Sequence, residues 1–226
     1  MSEVKVRPTA NLRDSRYEFA LSALRALLPR LPALVVLDVG AGAGLVAAGV
    51  ESLGVEWRGF DSTPASSDVR RWSIDEPNPA GAACAGAVLI LDVIEHLTNP
   101  GMAIKNLHSA LLPGGYLVLT TPNPRWSRSR LHALVRGVPA CFTESDLDLN
   151  GHVFTAWPHI LARMLKDAGF ELEEYVTLDG RTTLPRGPFS LRYPLRLLFS
   201  LCNMLIERLD SSACGMTYAV IARKKV

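Results

Sequence analysis

Residues 35 to 44 read Val-Val-Leu-Asp-Val-Gly-Ala-Gly-Ala-Gly, an apolar run with one acid inside it that stops at three glycines spaced two apart. The apolar stretch predicts a buried strand. Glycines directly after it predict a turn with no Cβ in the way, so backbone approaches a ligand closely. In a doubly wound α/β sheet such a turn lies at the carboxyl end of the first strand, where nucleotide-like ligands bind. The rest of the chain must then supply alternating helices and parallel strands.

It does so for most of its length. Helical spacing over residues 15–28 ends at Pro29 and Pro32, and the first strand is predicted over 34–39. A helix over 45–53 precedes Gly54, and a second strand over 55–60 ends at Asp61. Residues 62–83 read as loop with a short strand over 72–74. A strongly apolar strand over 87–91, a helix over 99–112, a Pro113-Gly114-Gly115 turn and a strand over 116–121 follow. After an insert without strand periodicity come a helix over 155–168, a strand over 170–178, a long connection with one helix, and a closing strand over 216–223. The alternation implies a doubly wound, mostly parallel α/β sheet with helices on both faces. The expected organisation is one domain over 1–226, with an N-terminal helical segment (1–33) and inserts at 122–155 and 179–214.

Bulk properties exclude several classes. Hydrophobic residues make up 48% of 226, enough for a sizeable core, and a net charge of +2 does not favour nucleic acid as a partner. Cys84, Cys141, Cys202 and Cys214 lie far apart with no C-x-x-C pair, which argues against a metal site and a disulfide framework. A reducing, cytoplasmic compartment follows. The first residues have no apolar core, so no secretory signal is read. No apolar run reaches the roughly 20 residues that span a bilayer.

A dinucleotide fingerprint, G-x-G-x-x-G, would place its third glycine at position 45, which is Leu45. The spacing is instead G-x-G-x-G, with Asp38 two residues ahead. In Leu37-Asp38-Val39-Gly40-Ala41-Gly42-Ala43-Gly44 the chain resembles the class I S-adenosylmethionine-dependent methyltransferases. Gly59-Phe60-Asp61, the segment Leu91-Asp92-Val93-Ile94-Glu95-His96-Leu97, the run Leu111 to Thr120 through Pro-Gly-Gly, and Gly151-His152-Val153-Phe154-Thr155 match further family elements in order. The resemblance covers about residues 34–178. It implies a Rossmann-like, seven-stranded sheet whose last strand is antiparallel, with S-adenosyl-L-methionine as cofactor.

It also implies site residues. Gly40, Ala41, Gly42 and Gly44 would form the turn under the methionine part of the cofactor, and Asp61 with Ser62 would hold the ribose hydroxyls. Asp38 either braces the turn through backbone N–H groups or touches the ligand. Ile74 and Asp75 would lie beside the adenine, although the segment departs from the usual Gly-Asp pattern. Leu91 and Asp92 should face the cofactor. Arg16 and Tyr17 either reach its carboxylate or form the polar face of a surface helix.

A sulfonium is already an activated electrophile, so methyl transfer needs an aligned acceptor, excluded water and, for a hydroxyl, a base. The base candidates are His152 and His96. The Glu95-His96 pair fixes one imidazole tautomer or anchors the loop. His152 is a base, an acceptor-binding group or a helix-start residue. The expected reaction is O-methylation of a small-molecule, sugar or lipid-linked acceptor. Two rivals stand beside it: a nicotinamide-dependent oxidoreductase, disfavoured by Leu45, and a non-catalytic partner of the same fold, disfavoured by the intact glycines and Asp61.

Two stretches bear on partners. Residues 125–136 hold four arginines, suited to an anionic acceptor or membrane surface, or to a solvated face balanced by Glu144, Asp146 and Asp148. In 189–209, Arg192, Arg196, Ser200, Asn203 and Glu207 fall in one helical stripe, leaving a broad apolar face. The protein's own core, a homodimer partner, the inner face of a membrane or a greasy acceptor would cover it.

Overall fold

A computed structural model describes residues 5–6, 15–79, 83–185 and 192–225. The strands are β1 (Lys5–Val6), β2 (Val35–Val39), β3 (Glu56–Asp61), β4 (Val69–Arg71), β5 (Ala85–Leu91), β6 (Leu111–Pro122), β7 (Phe170–Thr177) and β8 (Thr217–Lys224). They form one sheet in the order β1-β7-β8-β6-β5-β2-β3-β4, parallel except for β8. The seven expected strands are present, and two-residue β1 adds an eighth at the edge, within a segment expected to be helical.

Every residue of β5 is buried, as a strand covered on both faces requires. On one face, helix α1 (Ser15–Leu27) packs Phe19, Ala23 and Leu24 over Leu89 and Val118. On the other, α3 (Pro100–Ala110) and α6 (Pro158–Asp167) pack Ile104, Leu107, Leu161 and Leu165 over Val88, Ile90 and Leu119. Short α2 (Ala47–Glu51) follows the glycine turn. From β2 the chain winds outward through β3 and β4, and from β5 it winds the other way. The carboxyl ends of β2 and β5 therefore flank the switch point where a crevice opens.

Two departures from the sequence pattern matter. The third short strand is Val69–Arg71 rather than 72–74. Trp72 leaves the ladder: its backbone N–H still donates to the Asp61 carbonyl, but its indole turns inward to stand edge-on to Phe60 and donates to the Glu76 carbonyl. The insert after β6 folds into α4 (Ser127–Arg136) and α5 (Glu144–Asn150), the latter opened by a Thr143–Asp146 capping box.

The amphipathic stretch forms α7 (Tyr193–Leu209), and residues 189–191 of it lie outside the described residues. Only the C-terminal part of its polar stripe faces inward. Asn203 and Glu207 are buried, whereas Leu195, Leu198, Leu205 and Leu209 are exposed. The reading in which the protein's own core covers the apolar face is therefore overturned. The cause is a buried acceptor: Glu207 takes hydrogen bonds from the Ser127 hydroxyl on α4 and from the backbone N–H and hydroxyl of Thr182. A carboxylate satisfied three times is held inside.

The sheet also depends on one close approach. A Cβ on Gly86 would stand 1.9 Å from the Ala33 carbonyl oxygen. Gly86→Ala must push the first connection off β5, at a cost of about 3 kcal/mol. Urea unfolding reads this directly, and an unchanged midpoint would contradict the packing described.

Candidate active site

The ends of β2, β3 and β5 open onto a cleft of about 450 Å³. Of the residues singled out in the sequence, Gly40, Asp61, Ser62, Ile74, Asp75, Asp92 and His96 line it. Trp72, Ser73, Val93 and Leu97 line it as well and were not anticipated. Val93 and Leu97 sit inside the Asp92–Leu97 motif. Trp72 and Ser73 were hidden by placing a strand over 72–74.

The three glycines of the turn do different work. All have left-handed φ, at 81°, 56° and 76° for Gly40, Gly42 and Gly44. A Cβ on Gly40 would collide with Val93 at 2.2 Å, and one on Gly44 would press on the Trp57 ring at 3.0 Å. A Cβ on Gly42 would meet nothing within 4 Å. The outer glycines make room for the protein itself, and the middle one faces open space. The N–H groups of Gly40 and Ala41 donate to the Phe60 carbonyl, and Gly44 donates to Ala41, so Ala41 and Gly44 shape the turn without lining the cleft.

The acid that braces this turn is Asp61. Its Oδ2 accepts the Gly42 N–H at 2.8 Å and its Oδ1 accepts the Thr63 N–H at 2.9 Å. Asp38 does not brace the turn. It is buried away from the cleft, and its Oδ2 accepts the Trp57 indole N–H at 3.3 Å. Burial raises its pKa to about 6, and the Trp57 bond partly offsets that. Leu91 also departs from expectation. Its side chain packs in the α1-side core rather than the cleft, because successive strand residues face opposite ways.

Asp92 turns back at the end of β5 with φ of 53°, and Thr120 holds it there. The Thr120 hydroxyl donates to Asp92 Oδ1 at 2.7 Å, and the Asp92 N–H donates to the Thr120 carbonyl at 3.0 Å. Arg16 Nη1 pairs with Asp92 Oδ2 at 2.6 Å, and Nη2 donates to the Tyr17 hydroxyl at 3.0 Å. Arg16 and Tyr17 are thus tied to the site's edge, not to a surface face. Buried Arg16 Nε has no hydrogen-bond partner.

His96 and His152 stand together, ring centroids 5.0 Å apart. His96 Nδ1 faces the Gly151 carbonyl at 3.3 Å, and His152 Nδ1 faces the Cys141 carbonyl at 2.6 Å. A carbonyl only accepts, so each Nδ1 carries a proton, and the neutral form of each ring has its lone pair at Nε2. Burial, with His152 adding, holds His96 below its ordinary pKa. The tautomer of His96 is set by Gly151, not by Glu95. Nor does His152 start a helix, since α6 begins at Pro158. It follows Gly151, whose φ of 69° ends α5. Cys141, with φ of 68°, presents its carbonyl to His152, and no sequence signal announced it.

Glu95 is buried between these groups and accepts from the Thr121 hydroxyl at 2.9 Å. Ligand atoms of Glu95, His96 and His152 lie within 4.8 Å of one another, close enough to share a cation. Holding one requires Glu95 to ionise. Burial opposes this and raises its pKa to about 8, with the Asp92 charge adding.

A family model described as a methyltransferase domain matches residues 12–175. The chain belongs to that methyltransferase family. Its methyl donor is S-adenosylmethionine, and the nicotinamide-dependent alternative falls. The chain is 27% identical over 184 residues to a ubiquinone biosynthesis O-methyltransferase from Xanthomonas axonopodis pv. citri, covering 74% of this chain and 73% of that one. It is 31% identical over 160 residues to the protein of the same name from Dechloromonas aromatica, covering 64% and 67%. A solved SAM-dependent methyltransferase from Archaeoglobus fulgidus shares the fold, with a TM-score of 0.60, 21% identity and coverage of 94% and 96%.

In this methyltransferase Glu95 has a pH signature. An acid whose folded pKa is raised contributes stability present below its unfolded value, near 4.5, and lost as pH rises through about 8. Glu95→Gln keeps an acceptor for Thr121 and removes that loss. Thermal melts should show the variant gaining on wild type by about 4 °C or more between pH 5 and pH 9. A gap that stays constant across that range would contradict a protonated Glu95.

Proposed function

We propose that the protein transfers the methyl group of S-adenosylmethionine to a hydroxyl oxygen of a small-molecule acceptor, with the His96–His152 pair receiving the hydroxyl proton. One observation carries this: His96 lines the cleft with His152 packed against it, each with Nδ1 occupied by a backbone carbonyl and Nε2 left as the base. The relatives named as O-methyltransferases support the same reading.

The residues present fit the cofactor on two counts. Open space stands over Gly42, where backbone must approach closely, and the orphaned Nε of Arg16 is a buried donor suited to a carboxylate. Asp61, already holding the turn, keeps lone pairs for the ribose hydroxyls, with Ser62 beside it. Ile74 and Asp75, which line the cleft, would flank the adenine, and Asp92 would face the cofactor's ammonium group. The sulfonium supplies a methyl carbon poised for displacement: the carbon–sulfur bond breaks as the oxygen–carbon bond forms. The chain's own work is to align the acceptor, exclude water and take the proton at Nε2. Because His96 titrates below its ordinary range, the base form is present at neutral pH.

Two measurements test this. Labelled donor incubated with a small-molecule extract identifies a methylated acceptor. With it, His152→Ala and His96→Ala should each lower kcat by about 10²-fold or more. Affinity for S-adenosylhomocysteine should stay within a factor of about two, since neither ring holds the cofactor. An unchanged single-turnover rate in both variants ends the base assignment. Separately, Gly42→Ala places a Cβ in the open space at a left-handed φ and should weaken S-adenosylhomocysteine binding at least about tenfold in calorimetry. Full affinity in that variant would place the cofactor elsewhere.

A further inference from the structure

No residue of α7 lines the cleft, and nothing among the described residues covers the helix's outward face. Leu195, Leu198, Leu205 and Leu209 stand exposed along it, at 69, 59, 58 and 80%. Neighbouring α4 exposes Leu134 and Val135, at 83 and 78%. The two helices are bolted together through Ser127–Glu207 and Arg130–Asp210, so these side chains belong to one rigid surface.

The charge on this surface has one sign. Arg128 and Arg136 on α4, Arg192 capping α7, and Arg196 and Arg208 on α7 are exposed, and none has an ion pair among the described residues. The sole acid of the two helices, Glu207, is buried and satisfied. The acids expected to balance this region, Glu144, Asp146 and Asp148, lie on α5. At the flank of α7 a cavity of about 390 Å³ is lined by Arg181, Arg208, Thr182, Met204, Leu205 and Glu207. Two guanidinium groups beside a methionine and a leucine suit an anionic head with an apolar tail.

We propose that this face docks the protein on an anionic phospholipid bilayer. In that arrangement α7 lies in the interface, its leucines among the upper acyl segments and Arg181 and Arg208 on lipid phosphates. A second copy of the chain is the poorer occupant. A two-fold contact would set these helices against themselves, arginine facing arginine, with no exposed carboxylate on either helix to meet them. Spanning is excluded for α7. At 17 residues it is about 26 Å long, and no helix among the described residues is long and apolar enough to cross a membrane. Interfacial helices bury their apolar side about 5–10 Å deep, which the exposed leucines can fill. The inference goes beyond the proposed methyl transfer and does not rest on the identity of the acceptor.

Co-sedimentation of the full chain with vesicles tests it. Vesicles of phosphatidylglycerol mixed with phosphatidylcholine should bind the protein in low salt and release it in high salt, and pure phosphatidylcholine should bind it weakly. Arg181→Ala with Arg208→Ala should weaken partitioning roughly 30-fold. Leu198→Glu with Leu205→Glu should abolish it. Both double variants alter exposed positions, so S-adenosylhomocysteine binding should persist and confirm folding. Equal binding to both vesicle types, no binding in low salt, or binding that survives both double variants overturns the proposal. So does a dimer in light scattering that the leucine changes dissociate.

Discussion

A single carboxylate organises the cleft. Asp61 closes β3 and reaches across to the N–H of Gly42, while its other oxygen takes the N–H of Thr63. Two loops from neighbouring strands are thereby locked to each other by hydrogen bonds to a charged acceptor, a stronger kind than neutral pairs. The Phe60 carbonyl adds the N–H groups of Gly40 and Ala41. With those donors spent, the turn presents open space at Gly42 rather than unsatisfied backbone. The turn is therefore fixed by the protein's own hydrogen bonds before any ligand arrives.

Behind that surface lies a layer of buried polar groups held by one strand. Thr120 and Thr121, consecutive on β6, face opposite sides of the sheet, and each serves one acid of the neighbouring segment: Asp92 and Glu95. Asp92 is neutralised by Arg16 from the first helix. Glu95 has no ion-pair partner among the described residues, and burial beside the Asp92 charge raises its pKa to about 8, favouring the uncharged form. The same segment carries His96 to the cleft. Left-handed backbone at Asp92 and Cys141 brackets the site, as strained residues often do where chemistry is performed.

The two long inserts give the molecule a second, separate character. The cleft is lined by a mix of acids and apolar side chains at the strand ends, whereas α4 and α7 expose leucines and arginines on an otherwise nearly neutral chain. What turns α7 over is not its own pattern. Glu207 is drawn inward by donors from α4 and from the Thr182 segment, far apart in sequence, and Asn203, one turn earlier, is buried with it. Satisfying a carboxylate inside outweighs covering leucines, because the leucines can meet an apolar phase elsewhere and an unpaired buried charge cannot.

Local sequence was enough for whatever depends on local stereochemistry. The strand before the glycines, the G-x-G-x-G turn, the acid at 61 and the Asp92–His96 segment were all legible, because apolar periodicity and glycine spacing constrain backbone wherever they occur. Tertiary structure decided which partner each side chain met. It moved the bracing role from Asp38 to Asp61, turned Leu91 into the core, gave His96 and His152 their tautomers through the Gly151 and Cys141 carbonyls, and faced α7 outward. Each of those outcomes is a competition among hydrogen-bond partners many residues apart. A pattern of residue types along the chain carries no record of which one wins.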